Sequence, residues 1–220
     1  MTLLLVRHAQ TVWHAENRYA GGDSDIDLTP DGAAQAAGLA AWARERGVDA
    51  VVSSPVRRAR ETAAPCADAV GVPLRVVDGL REVSFGIAEG RTLAELDPGV
   101  ATRFRAGSPF PGSEPFDDAA RRGADALREL GEAAERDGTG TVLVVAHNTL
   151  LRLALCALLG LPPARYRQVF PRLDNTAVTE IDLPADRASP AALLRLNVPV
   201  PAPLVPVPAL PVHSSTTKES

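Results

Sequence analysis

With 220 residues, 45% of them hydrophobic, the chain has the length and composition of one globular α/β domain, able to hold a core without metal or disulfide staples. Lys+Arg 23 against Asp+Glu 27 leaves a net charge of −4, which argues against the broad basic footprint of a nucleic-acid-binding protein. No apolar run approaches the roughly eighteen residues that a bilayer span requires, so no membrane partner is expected.

The first apolar run, Leu3-Leu4-Leu5-Val6, ends on Arg7-His8 and reads as a buried strand. Four apolar residues before Arg7 are too few for the apolar core of a signal peptide, so a soluble cytoplasmic protein is expected. Thr29-Pro30 marks a helix start, with Thr29 as N-cap and Pro30 at the first helical position, and Gly47 stops that helix after Arg46. A short strand at Ala50-Val51-Val52-Ser53 leads to a helix over about 57–70 and a strand at Leu74-Arg75-Val76-Val77. Clustered Gly and Pro with short helical pieces over 83–115 suit a cap or lid. An amphipathic helix follows over about 116–136. A second buried strand, Val142-Leu143-Val144-Val145-Ala146, then ends on His147. An apolar helix over 150–159 stops at Gly160 and Pro162, and strands at 177–181 and 193–196 close the pattern.

Strand–helix alternation of this kind predicts an α/β fold, a three-layer α/β/α sandwich with a mainly parallel central sheet, over residues 1–196. From residue 197 prolines alternate with Val, Ala and Leu, and an extended Pro-rich C-terminal tail over 197–220 is expected. Cys66 and Cys156 lie in Ala/Leu-rich helical stretches without CxxC or Cys/His spacing, so both read as reduced core thiols and no metal site is expected. A lone histidine after a strand is ordinary. Two of the chain's four histidines at matching strand ends, one preceded by arginine, mark a candidate site, because ligands of open parallel sheets bind at that edge.

The string Leu5-Val6-Arg7-His8-Ala9-Gln10-Thr11 resembles the Arg-His-Gly-x-Thr signature of the histidine phosphatase superfamily, the phosphoglycerate mutase-like enzymes. The resemblance continues through Trp13 to Tyr19, Asp27-Leu28-Thr29-Pro30-Asp31-Gly32 and Gln35, and Ser53-Ser54-Pro55-Val56-Arg57-Arg58-Ala59 with Thr62. Leu80-Arg81-Glu82 with Phe85-Gly86 and Glu89-Gly90, Ala146-His147 with Arg152, and residues 175–180 complete it in order. Each segment alone is weakly specific; together they span about residues 3–182.

The resemblance implies a phosphoglycerate mutase-like fold and a phosphoryl-transfer site. His8 is the implied nucleophile, with Nε2 as phosphoryl acceptor, since a covalent intermediate splits one hard displacement into two easier ones. Arg7 and Arg58 supply permanently charged forks for phosphate oxygens, and His147, when protonated, adds another donor. Arg58 is chosen over Arg57 by the family spacing. Glu82 is the implied proton donor to the leaving oxygen, with Glu89 as its rival. Gln10, Thr11, His14 and Asn148 are placed at substrate or phosphate. No metal or other cofactor enters this scheme.

Three positions depart from the commonest family pattern. Ala9 and Asn148 stand where glycine is usual, and His14 stands where mutases carry asparagine. Glu82 is followed by Val83-Ser84-Phe85-Gly86, which is similar to the phosphatase branch rather than to the mutases' Arg-His-Tyr-Gly. The expected activity is therefore hydrolysis of a small-molecule phosphomonoester, with mutase-type transfer as the alternative and a non-catalytic phospho-ligand sensor behind both. Phe85, Phe104, Phe110 and Phe116, beside Arg103 and Arg105, are offered by the cap either as local core or as entrance. The sequence leaves the ester and the oligomeric state open.

Overall fold

The computed structural model describes residues 1–184, 186–187 and 189–200. In β1 (Thr2–Arg7), Leu3 and Leu5 leave the sheet on one side and Leu4 and Val6 on the other, and all four are buried. Both sides of the sheet are covered, which is why the strand has no polar face to reveal a period of two. The chain continues through α1 (Val12–Glu16), α2 (Pro30–Arg46), β2 (Ala50–Ser53), α3 (Arg57–Val70) and β3 (Leu74–Val76). After a cap of single 3-10 turns and α4 (Pro98–Arg105) come α5 (Phe116–Asp137), β4 (Thr141–Ala146), α6 (Asn148–Leu158) and α7 (Tyr166–Val169), and then β5 (Val178–Asp182) and β6 (Ala192–Val198).

The sheet order is β3-β2-β4-β1-β5-β6. The first four neighbours are parallel, whereas β5 runs antiparallel to β1, and β6 antiparallel to β5. Leu4, Val6, Val51, Leu143 and Val145 pack against α2 and α3, while Leu3, Leu5, Val142 and Val144 pack against α5, α6 and the cap. This is the expected three-layer sandwich. The chain leaves β1 toward β2 and leaves β4 toward β5, on opposite sides, so a crevice opens between the carboxyl ends of two adjacent strands. Arg7 pairs with Ala146 in register, so His8 and His147 emerge side by side.

α2 follows its sequence signals: Thr29 Oγ1 accepts the Gly32 N–H at 2.9 Å, and Gly47 closes the helix at φ +70°. Gly32 has a second reason to be glycine. A Cβ there would lie 2.1 Å from the Gln10 carbonyl oxygen, so α2 can press against the loop after His8 only without a side chain. Two elements differ from the sequence expectation. α1 has only five residues, too few for a hydrophobic period, and is set by a capping box of Thr11 and His14. α6 begins at Asn148 rather than Leu150, because its first N–H groups are satisfied from a distant loop, as described below.

Of the expected tail, Asn197 and Val198 complete β6, and residues 201–220 lie outside the described residues. Cys66 and Cys156 are buried free thiols, and burial pushes the Cys66 thiol up to about 12. Among the described residues no helix is long and apolar enough to cross a membrane.

Candidate active site

His8 follows β1 and is 5% exposed. Its backbone is fixed on both sides: the N–H donates to the Ala146 carbonyl at 2.9 Å, and the carbonyl accepts from Asn175 Nδ2 at 2.7 Å. Nδ1 lies 2.8 Å from the Ala9 carbonyl oxygen, an acceptor only, so Nδ1 carries the proton and donates. Nε2 keeps its lone pair and accepts from Arg58 Nε at 3.1 Å. Burial, and then the positive charge of Arg58, hold this imidazole well below histidine's usual pKa, so it is neutral.

Arg58, in the first turn of α3, is fully buried. Beyond His8, its guanidinium donates to the carbonyls of Ser24, Ala20 and Gly21 at 3.0, 3.0 and 3.1 Å. Arg57, the neighbour set aside by spacing, turns to the surface and pairs with Asp27 and Glu61. Arg7 donates through Nη1 to the Leu173 carbonyl at 2.9 Å, and its Nη2 lies 2.5 Å from His14 Nε2. Burial lowers Arg7 to about 10, which leaves it charged at neutral pH. His14, lowered to about 4 by burial and then by Arg7, is a neutral ring whose Nδ1 accepts the Thr11 N–H at 2.9 Å.

His147 ends β4, fully buried, with its ring centroid 5.3 Å from that of His8. Its Nε2 lies 2.7 Å from Ser54 Oγ and its Nδ1 lies 3.3 Å from Arg58 Nη2. Burial, Arg58 and Arg7 push its pKa well below the ordinary range, so the charged donor anticipated from the sequence is a neutral ring beside two guanidinium groups.

Glu82 comes from the cap loop and is 4% exposed. Oε1 accepts from the Leu150 and Val83 amides at 2.8 and 2.9 Å, and Oε2 accepts from the Thr149 amide at 3.1 Å. The carboxyl therefore caps the N-terminus of α6, which explains the earlier start of that helix. Burial raises its pKa, and the three N–H donors and Arg58 offset part of that rise. Arg122 of α5 holds the loop in place, donating to the Gly79 and Arg81 carbonyls at 2.9 Å.

Arg7, His8, His14 and Glu82 line a cavity of about 690 Å³ together with Thr11, Trp13, Tyr19, Phe85, Phe104, Asn148, Tyr166 and the arginines Arg152 and Arg167. Arg7, His8, Thr11, His14, Glu82 and Asn148 are brought to it as expected, and His147 and Arg58 sit directly behind His8. Gln10 is not. Its Oε1 accepts from Thr29 Oγ1 at 2.7 Å, so it joins the loop to the N-cap of α2. Asn148 spends its Oδ1 on the Leu173 amide and Arg152. Ala9 is tolerated because its Cβ is buried in the core and its N–H donates to Thr62 Oγ1 at 3.0 Å.

Glu89, the rival acid, accepts from the Gly21 amide, Ser24 Oγ and the Phe85 amide at 2.9, 2.6 and 3.0 Å and does not line the cavity. A Cβ on Gly21 would fall 1.9 Å from Glu89 Oε1, so that clip depends on glycine. The cap phenylalanines are buried as local core, Phe85, Phe104 and Phe110 edge-on around Tyr19 and Phe116 edge-on to Tyr166, with Phe85 and Phe104 also reaching the cavity. Sequence reasoning did not single out Ser54 as a partner of His147, nor Tyr166 and Arg167. Arg167 sits in a four-residue helix with no motif around it. Among the described residues no group of three or more His, Cys, Asp or Glu side chains is arranged to hold a metal ion.

Comparison with known proteins gives the family of the chain. The family model of the histidine phosphatase superfamily (branch 1) matches residues 3–197. The protein named "Putative phosphoserine phosphatase 2" of Hydrogenobacter thermophilus is 32% identical over 200 residues, covering 88% of this chain and 95% of its own. A probable phosphoglycerate mutase of Yersinia enterocolitica is 32% identical over 189 residues, 83% of this chain and 85% of its own. A bifunctional protein of Mycobacterium tuberculosis is 38% identical over 205 residues, 87% of this chain, which spans about half (53%) of that protein's length. Among solved structures, a mycobacterial glucosyl-3-phosphoglycerate phosphatase in complex with VO3 superposes with a TM-score of 0.81 at 30% identity, covering 90% of this chain and 99% of its own. With the family model matched over nearly the whole chain, the protein belongs to the histidine phosphatase superfamily, branch 1.

Proposed function

We propose that the protein is a phosphatase that hydrolyses a small phosphomonoester through a phosphohistidine at His8, without a metal. The observation that carries this reading is the neutral His8, its Nε2 lone pair held at the cavity between Arg58 and a second histidine, with a buried carboxyl of raised pKa in the same wall. His8 Nε2 attacks phosphorus in line, the P–O bond to the leaving alcohol breaks, and Glu82 gives that oxygen its proton. The Glu82 carboxylate then takes a proton from water as the hydroxide attacks phosphorus, releasing phosphate and restoring both residues.

Arg7 and Arg58 supply the positive charge that spreads over the transferring oxygens, each donor of this kind being worth about 10²–10³ in rate. His147 is kept neutral by burial and by the guanidinium charge around it. A phosphate dianion opposes that charge and favours a protonated ring that donates to the phosphoryl oxygens. Thr11, His14 and Asn148 shape the substrate side, and Gln10 supports the loop from behind. We place the enzyme in the cytoplasm, acting on a soluble metabolite.

A panel of metabolite phosphomonoesters incubated with EDTA, with phosphate release as the readout, tests the reading. Release from at least one ester by the wild type and none by His8→Ala supports it; equal release by both overturns it. Mutase-type transfer is the second reading, favoured by the mutase-named relative. Conversion of 3-phosphoglycerate to 2-phosphoglycerate that depends on a bisphosphate primer and outpaces phosphate release would reverse the order.

A further inference from the structure

Arg7 and His8 sit at the end of β1, and three of the bonds that fix them come from one short segment, residues 173–176, which belongs to no helix or strand. The Leu173 carbonyl accepts from Arg7 Nη1 at 2.9 Å, and the Thr176 amide donates to the Arg7 carbonyl at 2.9 Å. Asn175 Nδ2 donates to the His8 carbonyl at 2.7 Å. The segment therefore holds the guanidinium and the backbone of the nucleophile together. The His8 carbonyl is one peptide from the Ala9 carbonyl that accepts Nδ1–H, so the Asn175 bond also steadies the tautomer that leaves Nε2 free to attack.

No helix or sheet ladder dictates the shape of this segment, and the shape is unfavourable. Thr176 has φ +56°, in the left-handed region, where a β-branched residue is an outlier that its surroundings must impose. The grip comes from the edge strand. Val178 and Glu180 of β5, two residues apart, pair with Val198 and Arg195 of β6, three apart, so β6 bulges there. In the bulge Asn197 takes φ +52°, a conformation asparagine tolerates, and turns inward between the exposed Leu196 and Val198. Its Oδ1 accepts the Asp174 N–H at 2.6 Å and its Nδ2 donates to Asp174 Oδ2 at 3.0 Å, an orientation that the backbone donor fixes. Its own N–H donates to Thr179 Oγ1 at 3.1 Å, which ties it to β5. Arg172 also pairs with Asp174 but is 72% exposed and holds it weakly. Burial lowers the pKa of Arg7, and the negative charges of Glu82 and Asp174 offset part of that fall, so the gripped residue supports Arg7 as well.

We propose that Asn197 is a positioning residue for phosphoryl transfer: its side chain grips Asp174, keeps residues 173–176 in their strained turn and so sets the placement of His8 relative to Arg7. The inference rests on the reading of His8 as the nucleophile and goes beyond it, since Asn197 does not line the cavity and acts only through the segment it holds. In-line attack tolerates little error, and a misplacement of about 1 Å can cost about 10²-fold in rate. Without the grip, the turn at Thr176 is free to relax and to carry the donors on the Arg7 and His8 carbonyls with it.

The test is single-turnover labelling of His8 by radiolabelled p-nitrophenyl phosphate at saturating ester, with urea unfolding of each protein alongside to show that it is folded. Asn197→Gly keeps the left-handed backbone and removes both side-chain bonds, and labelling is expected to slow about 10- to 100-fold in the folded protein. Asn197→Asp sets a second carboxylate against that of Asp174 and should slow labelling likewise. Adding Asp174→Asn to it keeps both bonds with the side-chain donor reversed, and should restore the rate to within about threefold of wild type. A merely structural role would move the urea midpoint and leave the labelling rate of folded protein unchanged. Labelling of folded Asn197→Gly within about twofold of wild type, or a swapped pair that does not regain the rate, overturns the role of Asn197 and leaves His8 as the nucleophile. A wild type that takes no label at His8 overturns the nucleophile reading and this inference with it.

Discussion

In a Glu82→Gln protein the side chain keeps its length, and the amide oxygen, placed as Oε1, keeps the Val83 and Leu150 donors at 2.9 and 2.8 Å. The amide nitrogen then meets the Thr149 N–H across 3.1 Å, donor against donor, a fault of about 1–3 kcal/mol in stability. The fold should survive that. Catalysis should suffer far more, because the group that gives and takes the proton is gone. Loss of a general acid–base of this kind lowers the rate about 10²–10⁴-fold, or about 2.7–5.5 kcal/mol of barrier.

The substrate dependence is the sharper readout. An alkyl phosphate needs a proton on its departing oxygen, so phosphorylation of His8 itself becomes slow. An aryl phosphate releases a phenolate without one, so His8 should still be phosphorylated quickly, while hydrolysis of the phosphohistidine stalls for want of a base. Rapid-mixing absorbance should therefore show a burst of one phenolate per site from the variant, followed by slow turnover, and no burst from the alkyl ester. A variant turning over within about threefold of wild type, or showing no aryl burst, would refute the assignment of Glu82.

Arg58→Lys should remove a fork that a lysine cannot rebuild, leaving carbonyls of Ala20, Gly21 and Ser24 underpaired. Urea unfolding should show a loss of about 2–5 kcal/mol, together with a rate loss of about 10²–10³, and a change below about 1 kcal/mol would contradict the buried-fork reading. Stability should also depend on pH with a determined sign. His8 and His147 titrate well below 6.5 when folded, so under acid the unfolded chain binds more protons and stability is lost as pH falls from about 6.5 toward the folded values. Glu82, raised above 4.5, acts in the opposite sense over the interval between those two values and cancels part of the loss. The net fall from pH 7.0 to 5.5 should be about 1–3 kcal/mol by denaturant titration, shrinking in His8→Asn, and stability that rises as pH falls would contradict the neutral-histidine assignment.

What could be read in the sequence was what local chemistry dictates. β1 and β4 are legible because both faces are buried, so their apolar runs are unbroken until a histidine ends each one. α2 is legible because Thr29, Pro30 and Gly47 each act on their own neighbours. Site features that depend on distant partners were not legible. Gln10 stands two residues after His8, yet its side chain is drawn away by Thr29 across the fold. Glu82 and Glu89 are both glutamates of one loop. One meets the N-terminus of α6 and the other clips Gly21 and Ser24, a division that only the packing of the cap decides. His14 departs from the mutase asparagine and caps its own short helix by accepting the Thr11 N–H, a role set by the turn around it. Arg167 carries no pattern at all and reaches the cavity wall only through the packing of α7.

The account stands most directly on covalent capture at one nitrogen. Rapid acid-free quenching after mixing with an ester isotopically labelled in the phosphoryl group, followed by peptide mapping, should find an acid-labile, base-stable label on the peptide bearing His8, absent from the His8→Ala protein. Phosphate release from the same sample with no labelled peptide, or with the label on any other residue, would contradict it.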